Sequence, residues 1–440
     1  MLEANLKIIE ELRLFVSLVK EEPEVLSVFS IVRNAFIRTR KLPFEKLVLL
    51  IAKLCKKTLS AEIDDFFEEL SDSSSCSVSA FAQGRMKLHP AFFLLWNQLL
   101  TRCFYYYHKD QVKRWKGYRI VAGDGSNISL VNTPELHRYF GGQANQLVSF
   151  VQAKAFYCYD VLNEIILFPQ IRPYRFGELM MAYNNICNLE DDMLMIYDRL
   201  YCNYKMIALH LWQEKEIKFV IRGNESQLFV QEFIAGGQTN KIVYMKPTRY
   251  AIKGLMEHGY KIDNNTLLKV RLVKVSLENS VEVLITNLWE EEGYATSEFK
   301  DLYFKRWGIE TNIGHQKNIL RLESFSGLTA RSVEQDFFAT AFIANLHAIL
   351  IKESQAIVDE AYTKRKYPVK INKNKSFGKL RKYIVALFID LNPKNILLLL
   401  NAYFIRDPII IRKGRYFKRR VKNKQFKSKH KTYMNYKPAF

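Results

Sequence analysis

The stretch "YRIVAGDGSNISLV", Tyr118 to Val131, is an apolar strand interrupted by a Gly-Asp-Gly. Its central acid, Asp124, is the residue that needs explaining. Asp is a poor strand residue, and burying its charge is costly unless something binds it. Alone, it reads equally well as a turn former. The sequence downstream narrows the choice. "LVSFVQAKAFYCYDVLNEIILFPQIRP" reads as two strands around a turn at Asn163 and Glu164. "GELMMAYNNICNLE" is helical, and "DMLMIYDRLYCN" is a short buried strand ending on Asp198. "YKMIALHLWQEK" is a second helix and "EIKFVIRG" a last strand. Three strands, a helix, a strand, a helix and a strand predict an α/β fold with a mixed sheet flanked by helices.

Two acids in apolar strand contexts, first and fourth in strand order, say more than either alone. A third lies in "YFKRWGIETNIGHQK", Tyr303 to Lys317. On one continuous helix at ~100° per residue, Tyr303, Arg306, Glu310 and Lys317 share a stripe roughly 60° wide. The plain reading is a solvated face with an Arg306/Glu310 pair at i,i+4. The alternative is a ridge of an active site. Three carboxylates from distant sequence suit Mg²⁺, which accepts carboxylate, water and phosphate oxygens. Two such ions can activate an attacking oxygen and stabilise a leaving one at phosphorus. Arg306 and Lys317 would then meet phosphate, Arg by a bidentate fork and Lys as a point charge.

Bulk composition points the same way. The 440 residues allow two or three domains, and 48% hydrophobic content excludes general disorder. A formal charge of +21 and a pI near 9.5 imply a polyanionic partner, most simply nucleic acid. No apolar run approaches a membrane span, and no lipidation motif is visible. The acidic start, "MLEANLKIIEELRLF", is unlike a signal peptide, so a cytoplasmic protein is expected. Six scattered cysteines without a C-x-x-C pair, and dispersed histidines, argue against a disulfide framework or structural zinc.

Residues 1–110 read as a helical domain. "KLPFEKLVLLIAKLCKKTL" has a helical rhythm, "SDSSSCSVSAF" is a polar break, and "SVSAFAQGRMKLHPAFFLLWNQLL" resumes helix. Docking on DNA and a plain helical bundle both remain open for it. Residues 111–225 and 289–350 are read as the two parts of a catalytic core. Between them, 226–288, with "KIVYMK", "LLKVRLVKVSL" and "VEVLITNL", reads as a β-rich insertion. A helix is expected from about Ser332 to Ala361, within or before a helical C-terminal region of 351–440. From Arg412 to Lys437 there are twelve Lys/Arg and no acid, interleaved with Tyr416, Phe417, Phe426, Tyr433 and Tyr436. This is expected to be a disordered arm that neutralises phosphates and stacks on bases.

With these residues in view, the chain resembles DDE transposases of bacterial insertion sequences, specifically the insertion-sequence-four group. That group carries Tyr-x2-Arg-x3-Glu-x6-Lys, matched here by Tyr303, Arg306, Glu310 and Lys317. Asp124 in "GDGSN" and Asp198 in "YDRLYCNY" match its two Asp contexts, and Leu284 to Leu288, "LITNL", the strand before its signature helix. Leu200 stands where relatives usually have Gly, and Ser126 where Thr is frequent. Glu282 occupies the place of a base-stacking tryptophan, for which Trp289 is a weak substitute. The resemblance implies a ribonuclease-H-like core and two Mg²⁺ (or Mn²⁺) ions held by Asp124, Asp198 and Glu310. Tyr303, Arg306 and Lys317 would contact DNA phosphate. It also implies cut-and-paste transposition of double-stranded DNA by a homodimer in a synaptic complex. That complex would pair the two element ends at their terminal inverted repeats and take up target DNA, in the nucleoid. The rivals are a metal-dependent nuclease of the same fold without strand transfer, and a non-catalytic DNA-binding protein derived from a transposase.

Overall fold

The computed structural model describes residues 1–38, 40–72, 75–144, 149–278 and 280–412. The basic arm beyond Arg412 therefore lies outside the described residues. Two compact units are present. One comprises Met1–Gln111, Ile128–Ala153 and the chain from Gly314 on; the other comprises Val112–Asn127 and Lys154–Ile313. No helix among the described residues is long and apolar enough to cross a membrane.

The second unit is α/β, built on a central mixed sheet. Its strands are β1 (Arg119–Ser129), β2 (Ser149–Asp160), β3 (Met193–Tyr197), β4 (Lys218–Arg222), β5 (Asn240–Met245), β6 (Leu268–Ser276) and β7 (Val281–Thr286). They run in the order β2-β1-β3-β4-β7-β6-β5. β1 pairs parallel with β3, and β3 with β4; β4, β7, β6 and β5 then pair antiparallel. Strands buried on both faces read as unbroken apolar runs. "MLMIY" of β3 is buried at every position. The segment 226–288 supplies β5, β6 and β7, which extend this same sheet.

Helices α1 (Glu178–Asn185), α2 (Tyr204–Leu211), α3 (Leu228–Ala235), α4 (Arg249–Met256), α5 (Phe299–Phe304) and α6 (Trp307–Asn318) complete these layers. Asn203 caps α2 by accepting the Met206 N–H at 2.9 Å. Beneath the sheet, Ile120, Leu194, Ile196, Val220, Val273 and Leu284 pack with Phe299, Leu302 and Tyr303 of α5. The loop leading to α5 is pinned by Arg271 on β6. Its guanidinium is buried and donates to the carbonyls of Leu288 (2.9 Å) and Tyr294 (2.6 Å).

Two local expectations are corrected. β1 is not broken at Gly123-Asp124-Gly125 but continues as strand to Ser129. These glycines serve close packing, not a turn: a Cβ on Gly123 would lie 2.4 Å from the Tyr197 ring. The stretch Tyr303–Lys317 is not one continuous helix. Between α5 and α6 the hydrogen bonds tighten to i→i−3, with Arg306 N–H on Tyr303 O (3.0 Å) and Ile309 N–H on Arg306 O (3.1 Å). Such a turn advances about 120° per residue, so a single 100° projection across it fails.

The first unit is mainly helical. The helix Ala330–Ala361 starts at the Thr329 cap. Trp96, on the helix Ala91–Tyr107, stacks on Phe342 of that long helix at 4.0 Å. Arg85 and Asp336 form a buried ion pair at 2.8 Å. "KLPFEKLVLLIAKLCKKTL" forms the helix Phe44–Ala52, which ends before Leu54 at φ +56°. In the same unit, Gly142–Ala144 pairs with the start of β2.

Candidate active site

The parallel register of β1 and β3 sets Ala122 against Ile196. Two residues further on stand Asp124, still within β1, and Asp198, just past the end of β3. Each acid is held locally by backbone. One oxygen of Asp124 accepts the Gly125 N–H at 2.9 Å. Asp198 follows the end of β3 and caps the next short turn, accepting the Leu200 N–H at 2.7 Å. Asp198 is thus a local cap as well as a candidate ligand, since its second oxygen is not used by that cap.

A further acid enters from α1. Glu178 stands at the start of this helix, and its Oε1 accepts the Tyr201 hydroxyl at 2.7 Å. Its carboxyl lies so close over β1 that a Cβ on Gly125 would be 2.2 Å from Glu178 Cδ. Lys154 Nζ is 4.0 Å from Glu178 Oε2. Burial first, then the charges of Glu178 and Asp198, push the Asp124 carboxyl up to about 7; the Gly125 N–H and Arg306 oppose the rise. The Tyr201 hydroxyl is pushed well above its usual range, by burial first and then by Glu178 and Asp124.

On α5, Tyr303 belongs to the core, and its hydroxyl has no hydrogen-bond partner among the described residues. Arg306 is buried next to it. Its NH2 donates to Glu310 Oε1 at 2.9 Å, while its Nε–H has no partner among the described residues. Burial lowers the Arg306 pKa, but Tyr303, Glu310 and Asp124 outweigh that and raise it. Arg306 therefore senses both Glu310 and Asp124. Glu310, one turn along α6, is partly exposed. Lys317 lies further along α6, beyond the second unit's limit at Ile313. It pairs with Glu323 at 3.5 Å, and Glu323 also accepts the Ser129 N–H at 3.0 Å.

Sequence reasoning missed Glu178 and Tyr201. "GELMMAYN" announces only a helix with an acid in its first turn, which is ordinary dipole chemistry. Tyr201 carries no signal beyond lying three residues after Asp198. Nothing local says that the two side chains meet.

Among the described residues, no three His, Cys, Asp or Glu side chains already stand as a metal-binding group. The residues nevertheless fit a hard divalent cation. The donors are carboxylate oxygens, and their mutual charge, felt at Asp124, is what a cation would offset. Glu310 is turned to Arg306.

Residues 115–346, more than half of the chain, match the family described as the transposase DDE domain. The chain belongs to that family and is a transposase of the DDE class. Among solved structures, the cryo-EM structure of the piggyBac transposase synaptic complex with hairpin DNA is similar over 91% of this chain and 78% of that one. The identity is 12% and the TM-score 0.40. No curated protein sequence matches the chain.

Proposed function

We propose that this transposase is of the insertion-sequence-four group and performs cut-and-paste transposition at terminal inverted repeats. Its core is read as ribonuclease-H-like. The observation that carries the reading is that Asp124 on β1 and Asp198 just past its parallel neighbour β3 feel each other's charge, with Arg306 linking Asp124 electrostatically to Glu310.

Asp124, Asp198 and Glu310 would hold divalent cations, Mg²⁺ or Mn²⁺ and two in number. When bound, these supply an activated attacking oxygen and charge stabilisation at phosphorus. Residues of the chain do the remainder. With Glu310 serving as a cation ligand, the Arg306 guanidinium that now pairs with it would be available to phosphate. The Tyr303 hydroxyl and the Arg306 Nε–H are buried donors without partners among the described residues. Leaving such groups unpaired costs about 1–3 kcal/mol each, which phosphate oxygens would recover. Lys317 adds a point charge on the same helix. Water attacks a phosphodiester at each element end, and the freed 3′ hydroxyl then attacks target DNA. Two ends brought together call for a homodimer in a synaptic complex. The work is assigned to the cytoplasm, on nucleoid DNA.

The test uses the full chain with DNA ending in the inverted repeats that flank its coding sequence. Mg²⁺-dependent nicking at the element boundary, followed by covalent joining to target DNA, is expected. Hydrolysis without any joined product would make the protein a nuclease.

A further inference from the structure

The two acid-bearing segments of the second unit are tied together by a side-chain pair outside the three-acid signature. Tyr201 is three residues past Asp198, fully buried, and donates its hydroxyl to Glu178 Oε1 at 2.7 Å. The same carboxyl presses on Gly125, the residue after Asp124, where even a methyl group would overlap it at 2.2 Å. Glu178 thus touches the Asp124 segment by packing and the Asp198 segment by a charge-assisted hydrogen bond. The ring of Tyr201 is itself fixed, against Tyr197 at 5.0 Å and Phe156 at 6.3 Å. A rigid ring at one end and a glycine cradle at the other leave the carboxylate little freedom.

We propose that Glu178 and Tyr201 form a clamp that sets the spacing of Asp124 and Asp198. Both are positioning residues, and the clamp rests on the reading of the two Asp residues as cation ligands. Partners that orient ligands commonly change metal affinity by about 10–100-fold when removed. A clamp also explains the glycine at 125. Any larger residue would displace Glu178 and, through Tyr201, the Asp198 turn.

The test is Mn²⁺ binding to the full-length protein without DNA, read as loss of the free-ion signal in electron paramagnetic resonance. Melting of the metal-free variants is measured alongside. Tyr201→Phe and Glu178→Ala should each weaken Mn²⁺ binding by about tenfold or more. The double variant should be no weaker than the worse single one, because both remove the same hydrogen bond. Glu178→Gln keeps the size and an oxygen to accept the Tyr201 hydroxyl, so it should bind Mn²⁺ within about threefold of wild type, by the same reasoning. Tyr201→Phe binding Mn²⁺ like wild type would overturn the clamp. So would Glu178→Gln failing as badly as Glu178→Ala, which would make Glu178 a charge or ligand in its own right. If a variant melts early, Glu178→Gln, which preserves shape, decides. Failure of the wider reading looks different: Asp124→Asn would then leave Mn²⁺ binding unchanged.

Discussion

Asp124 and Asp198 each follow by two residues the last paired residues, Ala122 and Ile196, of neighbouring parallel strands. The two carboxylates are near enough to feel each other's charge, and like charges so placed repel unless a cation or a proton intervenes. Burial first, then Glu178, and only then Asp198 raise the Asp124 carboxyl.

Removing the acids should separate chemistry from binding. Asp124→Asn, Asp198→Asn and Glu310→Gln should each abolish Mg²⁺-dependent cleavage of end DNA while DNA binding persists. Gel-shift and cleavage assays on the same DNA check this. A variant that cleaves at near wild-type rate takes its residue out of the site.

Asp124→Asn should also change stability, in a direction set by pH. The native carboxyl titrates at about 7, against about 3.9 in an unfolded chain. The folded state therefore holds the proton more tightly. This contribution to stability is complete below pH ~4 and is lost as pH rises through 7. At pH 8 without metal, Asp124→Asn should be more stable than wild type by about 1–3 kcal/mol, and the gain should vanish near pH 4. Denaturant unfolding at the two pH values measures it. Adding Mg²⁺ at pH 8 should stabilise wild type and not the variant.

Gly123→Ala places a methyl group 2.4 Å from the buried Tyr197 ring. Overpacking of this kind costs about 1–3 kcal/mol. Because the ring adjoins the Asp198 turn, cleavage should fall along with the melting temperature. Unchanged melting would show that β1 and β3 separate without cost.

Lys317→Ala removes the ion pair to Glu323. As a surface pair it should shift stability by less than about 1 kcal/mol. If Lys317 holds a terminal phosphate, strand transfer or hairpin formation should slow by about tenfold to a hundredfold, with the first nick less affected. Stepwise kinetics on intact and pre-nicked ends separate the two. Equal rates on both would leave Lys317 a structural cation.

Deleting residues from Arg412 on removes the twelve Lys/Arg counted to Lys437. Affinity for DNA of any sequence should fall. The slope of log K against log salt should flatten by roughly 0.9 for each phosphate no longer neutralised. A slope that stays the same would show that these cations do not neutralise phosphates.

The sequence by itself determined the alternation of strands and helices from Arg119 to Arg222, because apolar periodicity and burial follow from side-chain type. It also marked Asp124 and Asp198, since a charge beside an unbroken apolar strand is locally conspicuous. Tertiary structure alone decided three other matters. It turned Tyr303 into the core and tightened the chain at Arg306, because packing of α5 on the sheet outweighs the helical period of Tyr303–Lys317. It made Gly123 and Gly125 packing residues instead of a turn, because Tyr197 and Glu178 occupy the space a Cβ would need. And it joined Glu178 to Tyr201 across 23 residues, a meeting that depends on where two elements dock and that no local pattern encodes.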